Sequence, residues 1–155
     1  ESIGKCETHD AGVPFYGVYY GQSALPHASE SLLYLDNAVI RGLKVLNAET
    51  SSEIPVYDLK AAAGRDPYEM FLGGARSLIT LTNPNSEHER RLIVFRDSFG
   101  SSIAPLLAAG YSEITLVDIR YISPSSLLKF VDFSKAADVL FLYSASVINN
   151  SETIK

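Results

Sequence analysis

The chain has 155 residues, 46% hydrophobic and 20% charged, with a formal net charge of −5; this is the composition of one globular domain with an ordinary core and excludes an intrinsically disordered chain. The acidic balance and the lack of a basic cluster exclude nucleic-acid binding through a phosphate-neutralising face. The single cysteine, Cys6, excludes an intrachain disulfide and a multi-cysteine metal site, and no apolar run is long enough to span a membrane.

The first 60 or so residues are rich in aromatics and turn formers. There is no signal-peptide pattern at Glu1, which reads as the start of a processed protein or an excised piece. VPFYGVYY (13–20) predicts a strand, because Tyr and Val are favoured there. GQSALPH (21–27) predicts a loop. Residues 32–46 are apolar with mixed periodicity, so their type stays open, and PVYDL (55–59) predicts a short strand.

From residue 77 the pattern is cleaner. Residues 67–72 predict one or two helical turns stopped by Gly73-Gly74. SLITLT (77–82) predicts a strand and 83–89 a polar loop. LIVF (92–95) is continuously apolar, as in a strand covered on both faces. A helix over 101–109 is closed by Gly110, and a strand follows at 114–117. A second helix over 124–133 starts with Ser123 as N-cap and Pro124 at its first position, and presents Leu127, Leu128 and Val131 on one face. VLFLY (139–143) predicts the last strand. Strands alternating with helices of about ten residues predict parallel pairing by right-handed crossovers. Ligands in such sheets bind beyond the carboxyl ends of the strands, so the turns 96–100, 118–123 and 144–150 should lie side by side.

The first of these turns carries the strongest chemical signal. Asp97-Ser98 follows a buried strand and precedes a helix, which puts a hydroxyl at the ligand-binding rim beside free helix-start amides. The same two residues also suit a helix cap, and local sequence leaves both roles open. Asp118 can orient a partner or bind a ligand, and Arg120 offers a planar fork for a carboxylate or phosphate; an ion pair of Arg120 with Asp97 or Asp118 explains them equally well. A serine nucleophile needs a base within reach. His88 lies at the far end of the strand that leads to Ser98, roughly 15 Å or more away at about 3.3 Å per residue. His27 sits in a Pro-containing loop and His9 near a mobile terminus, so all three read as surface histidines, and no histidine spacing suits a metal. Gly73-Gly74 lacks the patterns of a phosphate-binding loop and reads as a turn.

The segments GRDPYEMFLGGARSLITLTNP, RLIVFRDSFGSSIAPLLAAGYSEITLVDIRYIS and DVLFLYSASVINN together resemble the C-terminal half of the DHHW family, with VPFYGVYYGQSALP fitting upstream. This is a group of bacterial, mostly Firmicute, cell-envelope proteins, similar to SGNH-type hydrolases and to the alginate O-acetylation proteins. The resemblance covers most of residues 13–150. It implies one α/β domain over 1–155, a three-layer SGNH/flavodoxin-like sandwich with a mainly parallel sheet, its core at 77–145 and incomplete at the N-terminus. It also implies a carbohydrate O-acyltransferase or esterase outside the cytoplasm, membrane-anchored or secreted. Its substrate would be an acylated carbohydrate or cell-wall glycan, with no cofactor or metal.

Under that resemblance Ser98 is the nucleophile, assisted by Asp97; the Ser98 and Gly100 amides form the oxyanion hole; Asp118, Arg120 and Tyr121 line the substrate site. The family's Asp-His signature is not in this sequence, so the base is expected upstream and the chain alone is expected to be inactive. Ala75 stands after Gly74 where SGNH enzymes use an Asn donor, and Asn83 is a substitute the sequence does not place. A non-catalytic envelope-binding module with the same fold is the second expectation. The oligomeric state is left open.

Overall fold

A computed structural model describes residues 3–17, 26–135, 137–150 and 152. Strands β1 (Glu7–Phe15) and β2 (Glu30–Asp36) form an antiparallel pair of their own, with a register shift between Asp10 and Pro14. Helix α1 (Ala38–Gly42) and strand β3 (Lys44–Asn47) follow. The mixed periodicity of 32–46 is thus a strand, a helix and a second strand in succession. The predicted strand at 13–20 begins earlier, at Glu7, and ends at Phe15; its residues 18–20, and 21–25 of the predicted loop, lie outside the described residues.

Strand β4 (Ser52–Ile54) forms a hairpin with β3. The strand expected at 55–59 does not form. Tyr57 makes only an isolated bridge to Phe71, and the Asp58 carboxylate accepts from the Lys60 and Ala61 amides, starting helix α2 (Leu59–Ala62). Residues Pro67–Met70 form the expected helical turn, of 3-10 type, capped by Asp66. The Gly-Gly turn leads from there into β5 (Leu78–Thr82). At Gly74 the backbone has φ +78°, and an added Cβ would lie 2.9 Å from Glu69 Cγ, so both conformation and space require glycine.

The remainder is β6 (Arg91–Arg96), α3 (Gly100–Ile103) continuing as a 3-10 turn over Ala104–Gly110, β7 (Glu113–Val117), α4 (Pro124–Leu127), β8 (Asp138–Leu142) and α5 (Ala145–Asn149). The helix expected at 101–109 changes type where Pro105 lacks the N–H for an i→i−4 bond. The helix expected at 124–133 is regular only to Leu127, although Ser123 caps it as expected by accepting from the Ser126 amide. Leu127 and Val131 are buried, whereas Leu128 faces solvent.

Among the described residues the main sheet has six strands in the order β4-β3-β5-β7-β6-β8. β6 pairs parallel with β7 on one side and β8 on the other, as predicted, and β5 joins the same sheet. The sheet is nonetheless mixed and not mainly parallel: β4–β3, β3–β5 and β5–β7 are antiparallel. β7 lies between β5 and β6 in the sheet, and the polar loop that joins these two strands is too short to carry the chain back along the sheet, so β5 runs antiparallel to both β6 and its own neighbour β7.

Side chains alternate between two cores. Leu92, Val94, Ile114, Leu116, Ile79 and Leu81 pack with Ala104 and Ala108 on one face. Ile93, Val117 and Leu78 pack with Leu127 and Val131 on the other. A third cluster, Leu32, Ala62, Met70 and Phe71 with Tyr34, Tyr57 and Tyr68, fastens the β1–β2 pair beneath the 3-10 turn.

Candidate active site

The register pairs Phe95 with Val117 and Arg96 with Leu142. Period-2 alternation then puts Arg96 and Asp118 on the same face at the carboxyl ends of adjacent strands. β6 connects to β7 on one side, and β7 returns across it to β8 on the other. The strand order therefore reverses between β6 and β8, the crevice where open α/β sheets bind ligands. All three expected turns meet at this rim.

Arg96 and Asp118 are both 0% exposed, and Asp97 is 1% exposed. The Arg96 guanidinium donates to the carbonyls of Asp97 (3.2 Å) and Arg76 (3.3 Å) and lies 3.8 Å from the Asp118 carboxylate. Burial lowers its pKa, and the charge of Asp118 opposes that shift. Asp118 is gripped by Arg120, whose Nε and Nη2 donate to its two oxygens at 2.9 and 2.6 Å, and the Arg120 amide adds a third bond at 3.1 Å. That pairing raises the Arg120 pKa. The ion-pair reading of Arg120 thus has its partner in Asp118. Asp118, expected to line a substrate site, faces Arg120 and Arg96 and no solvent.

Asp97 holds the serine turn. One carboxylate oxygen accepts from the Phe99 amide (3.0 Å), and the other accepts from the Ser144 amide across the crevice (2.7 Å). Both oxygens are spent on backbone, tying β6 to the start of α5. Ser98 is half-buried, and its hydroxyl makes no hydrogen bond to a described residue. It does not cap the helix, because Phe99 occupies the N-cap position with no side-chain bond. The Gly100 amide donates to the Asp97 carbonyl (3.1 Å) and the Ser101 amide to the Ser98 carbonyl (3.1 Å), so of the expected oxyanion pair only the Ser98 amide is uncommitted. Gly100 serves a further purpose: a Cβ there would come within 2.7 Å of Arg96 Cβ, so glycine lets the helix start close over the arginine stem.

Three tyrosines border the rim. The Tyr68 hydroxyl lies 2.8 Å from Ser102 Oγ and 3.3 Å from the Phe99 carbonyl oxygen, bracing the serine turn from the β1–β2 side; burial raises its pKa. The Tyr143 hydroxyl is buried without a hydrogen-bond partner, and burial followed by the charges of Asp118 and Asp97 raises its pKa. Tyr121 is exposed, with the Arg120 guanidinium 5.3 Å from its ring centre. Arg120 and Tyr121 line a cavity of about 440 Å³ with Ser146, Val147 and Asn150. Ser144, expected at this rim with Ser98, Asp118 and Arg120, is there through its amide bond to Asp97; sequence reading missed Arg96, Tyr68 and Tyr143 as site elements. A charged residue ending an apolar strand was the available signal for Arg96; nothing local marks the tyrosines.

No described histidine hydrogen-bonds Ser98. His9 is not at a loose terminus but in β1, stacked on Tyr34 with a ring separation of 5.3 Å and facing Glu7 at 3.6 Å. His27 Nδ1 is 2.7 Å from the Ala28 carbonyl oxygen, and His88 sits in the loop before β6, its amide donating to Ser86 Oγ. Asn83 follows β5 at the opposite end of the strands, by the amino end of β7, donating to the Ala108 carbonyl and accepting from the Asn85 amide, so it is a structural residue remote from Ser98. Among the described residues no three His, Cys, Asp or Glu side chains converge to hold a metal, and no helix is long and apolar enough to cross a membrane.

No family model matches the sequence, and no curated protein does. Solved structures do match. PatB1 from Bacillus cereus, solved with a sulfonyl adduct, is 20% identical with a TM-score of 0.68, over 96% of this chain and 50% of its own. A DHHW family protein from Eubacterium siraeum is 17% identical with a TM-score of 0.69, over 97% of this chain and 52% of its own. A second structure of Bacillus cereus PatB1 is 24% identical with a TM-score of 0.62, over 80% of this chain and 43% of its own. The chain therefore spans about half the length of the structures it matches, and what it shares with a DHHW family protein and with PatB1 is an α/β fold.

Proposed function

We propose that this chain is the serine-bearing part of an extracytoplasmic carbohydrate O-acyltransferase or esterase, with Ser98 as its nucleophile. The observation that carries the reading is the unbonded Ser98 hydroxyl at the switch point between β6 and β8, on a turn pinned by both oxygens of Asp97. Ser98 Oγ attacks the acyl carbonyl carbon and its proton passes to an imidazole base on polypeptide beyond these residues. The carbonyl oxygen becomes an oxyanion facing the Ser98 amide. Collapse expels the carbohydrate alcohol, protonated by the same base. The acyl-serine then passes its acyl group to a second hydroxyl or to water. Asp97 acts here by positioning the serine, Asp118 by orienting Arg120, and Arg120 with Tyr121 by walling the substrate cavity. PatB1 in its sulfonyl-adduct form supports the reading, since sulfonyl groups are captured by activated nucleophiles. The SGNH-like three-layer architecture belongs to the same proposal.

The test is fluorophosphonate labelling of the complete gene product, with Ser98→Ala as control. Labelling at Ser98 that the variant abolishes is the expected result. The 155-residue chain alone is expected to hydrolyse p-nitrophenyl acetate no faster than background, and Ser98-dependent turnover by it would place the base within this chain. Absence of label in the complete product favours the second reading, a non-catalytic envelope module, for which Ala75 after the Gly-Gly turn speaks.

A further inference from the structure

The two edges of the main sheet are unlike. β4 is a three-residue strand, Ser52-Glu53-Ile54, short and polar as natural edges are. Among the described residues β8 pairs only with β6, yet it reads Asp-Val-Leu-Phe-Leu. Val139 is 51% exposed, Leu140 37% and Phe141 67%, so both faces of the strand meet solvent at its centre. Apolar residues on both faces are the pattern of a parallel strand in a sheet's interior. No Lys, Pro or bulge blunts this edge. On one face Phe141 stacks on Phe95, 5.0 Å away, and its ring is still 67% exposed.

The backbone is equally open. The Leu142 carbonyl accepts from the Asp97 amide, so the polar groups of Leu140 and Leu142 point toward β6. By alternation those of Val139 and Phe141 point outward, a template for another strand.

We propose that β8 is an interior strand of the complete protein: a strand from the polypeptide that makes up the other half of the matched structures' length pairs along Val139 and Phe141 and brings apolar cover to both faces. Those structures match 96–97% of this chain with only 50–52% of their own, so an equal length of chain remains in them to supply it. A second copy of this chain suits the edge poorly. A two-fold axis would set β8 against another β8, adding a strand as bare as the first and leaving Phe141 of both uncovered. The inference is independent of the chemistry at Ser98.

The test compares the 155-residue chain with the complete product of its gene by site-resolved hydrogen exchange, each at two concentrations with the mass measured by light scattering. The Val139 and Phe141 amides are expected to gain at least about tenfold protection in the complete product, independent of concentration. A gene product no longer than this chain overturns the inference, as do equally unprotected amides in both forms. Protection of the 155-residue chain that rises with concentration as its mass doubles also overturns it, in favour of a second copy. Val139→Lys with Phe141→Lys, at exposed positions of the shorter chain, is expected to leave its circular dichroism unchanged and to lower the unfolding midpoint of the complete product; an unchanged midpoint there counts against the added strand.

Discussion

The two ends of the parallel strands β6, β7 and β8 treat charge in opposite ways. At the amino ends, Arg90 pairs with Asp138 at 2.7 Å and Arg91 with Glu113 at 2.6 Å, with water in contact at every member. At the carboxyl ends, Arg96, Asp97 and Asp118 are shut away from solvent, and their partners are backbone groups, one another and the Arg120 guanidinium. Exposed pairs contribute little because water screens them, whereas buried charges are costly unless fully paired. The fold therefore tolerates expensive groups at one end only, the end where the strand order reverses and the serine turn sits.

The largest effect that would sharpen this contrast is loss of Asp118. Asp118→Ala leaves Arg96 and Arg120 without their carboxylate and is expected to cost about 3–5 kcal/mol in urea unfolding. A loss no larger than that of an amino-end substitution would break the comparison. Asp97→Ala strands the Phe99 and Ser144 amides and is expected to cost about 1–3 kcal/mol, with Ser98 labelling of the complete product lost even where the fold persists. Gly100→Ala forces a methyl into the Arg96 stem and is expected to cost about 1–3 kcal/mol by the same measurement.

Away from both ends, Tyr57 shows what burial, joined by the charge of Asp36, does to a titrating group. Its hydroxyl donates to the Leu35 carbonyl at 2.7 Å, and burial pushes its pKa up to about 12 from 10. The unfolded chain therefore loses this proton first. The stability linked to Tyr57 is complete below pH 10 and is lost as pH rises from 10 to 12. Tyr57→Phe is expected to cost about 1 kcal/mol at neutral pH and to flatten that part of the alkaline decline. The smallest effect belongs to the amino end: Arg90→Ala is expected to leave the urea midpoint unchanged, and a large loss there would erase the difference between the two ends.

Local order was largely legible. The run LIVF, the Ser123-Pro124 helix start and the turn residues between them located β6, α4 and two of the three turns of the rim, because alternation, caps and prolines act over a few residues. Two errors had local causes that were already visible: Pro105 breaks the helix expected at 101–109, and the short loop after β5 enforces an antiparallel strand. Asp97 and Ser98 were recognisable as a rim turn, but not which of them holds it. That depended on the Ser144 amide, 47 residues away, reaching Asp97 across the crevice.

The sequence by itself determined that strands alternate with helices from residue 77 onward and that a hydroxyl and three charged side chains end two of those strands, since periodicity and strand ends are properties of neighbouring residues. Only the tertiary structure decided that Arg120 closes on Asp118, that Tyr68 braces the serine turn and that β8 is left bare on both faces. These depend on register and strand order, which bring together segments whose separation along the chain carries no local signal.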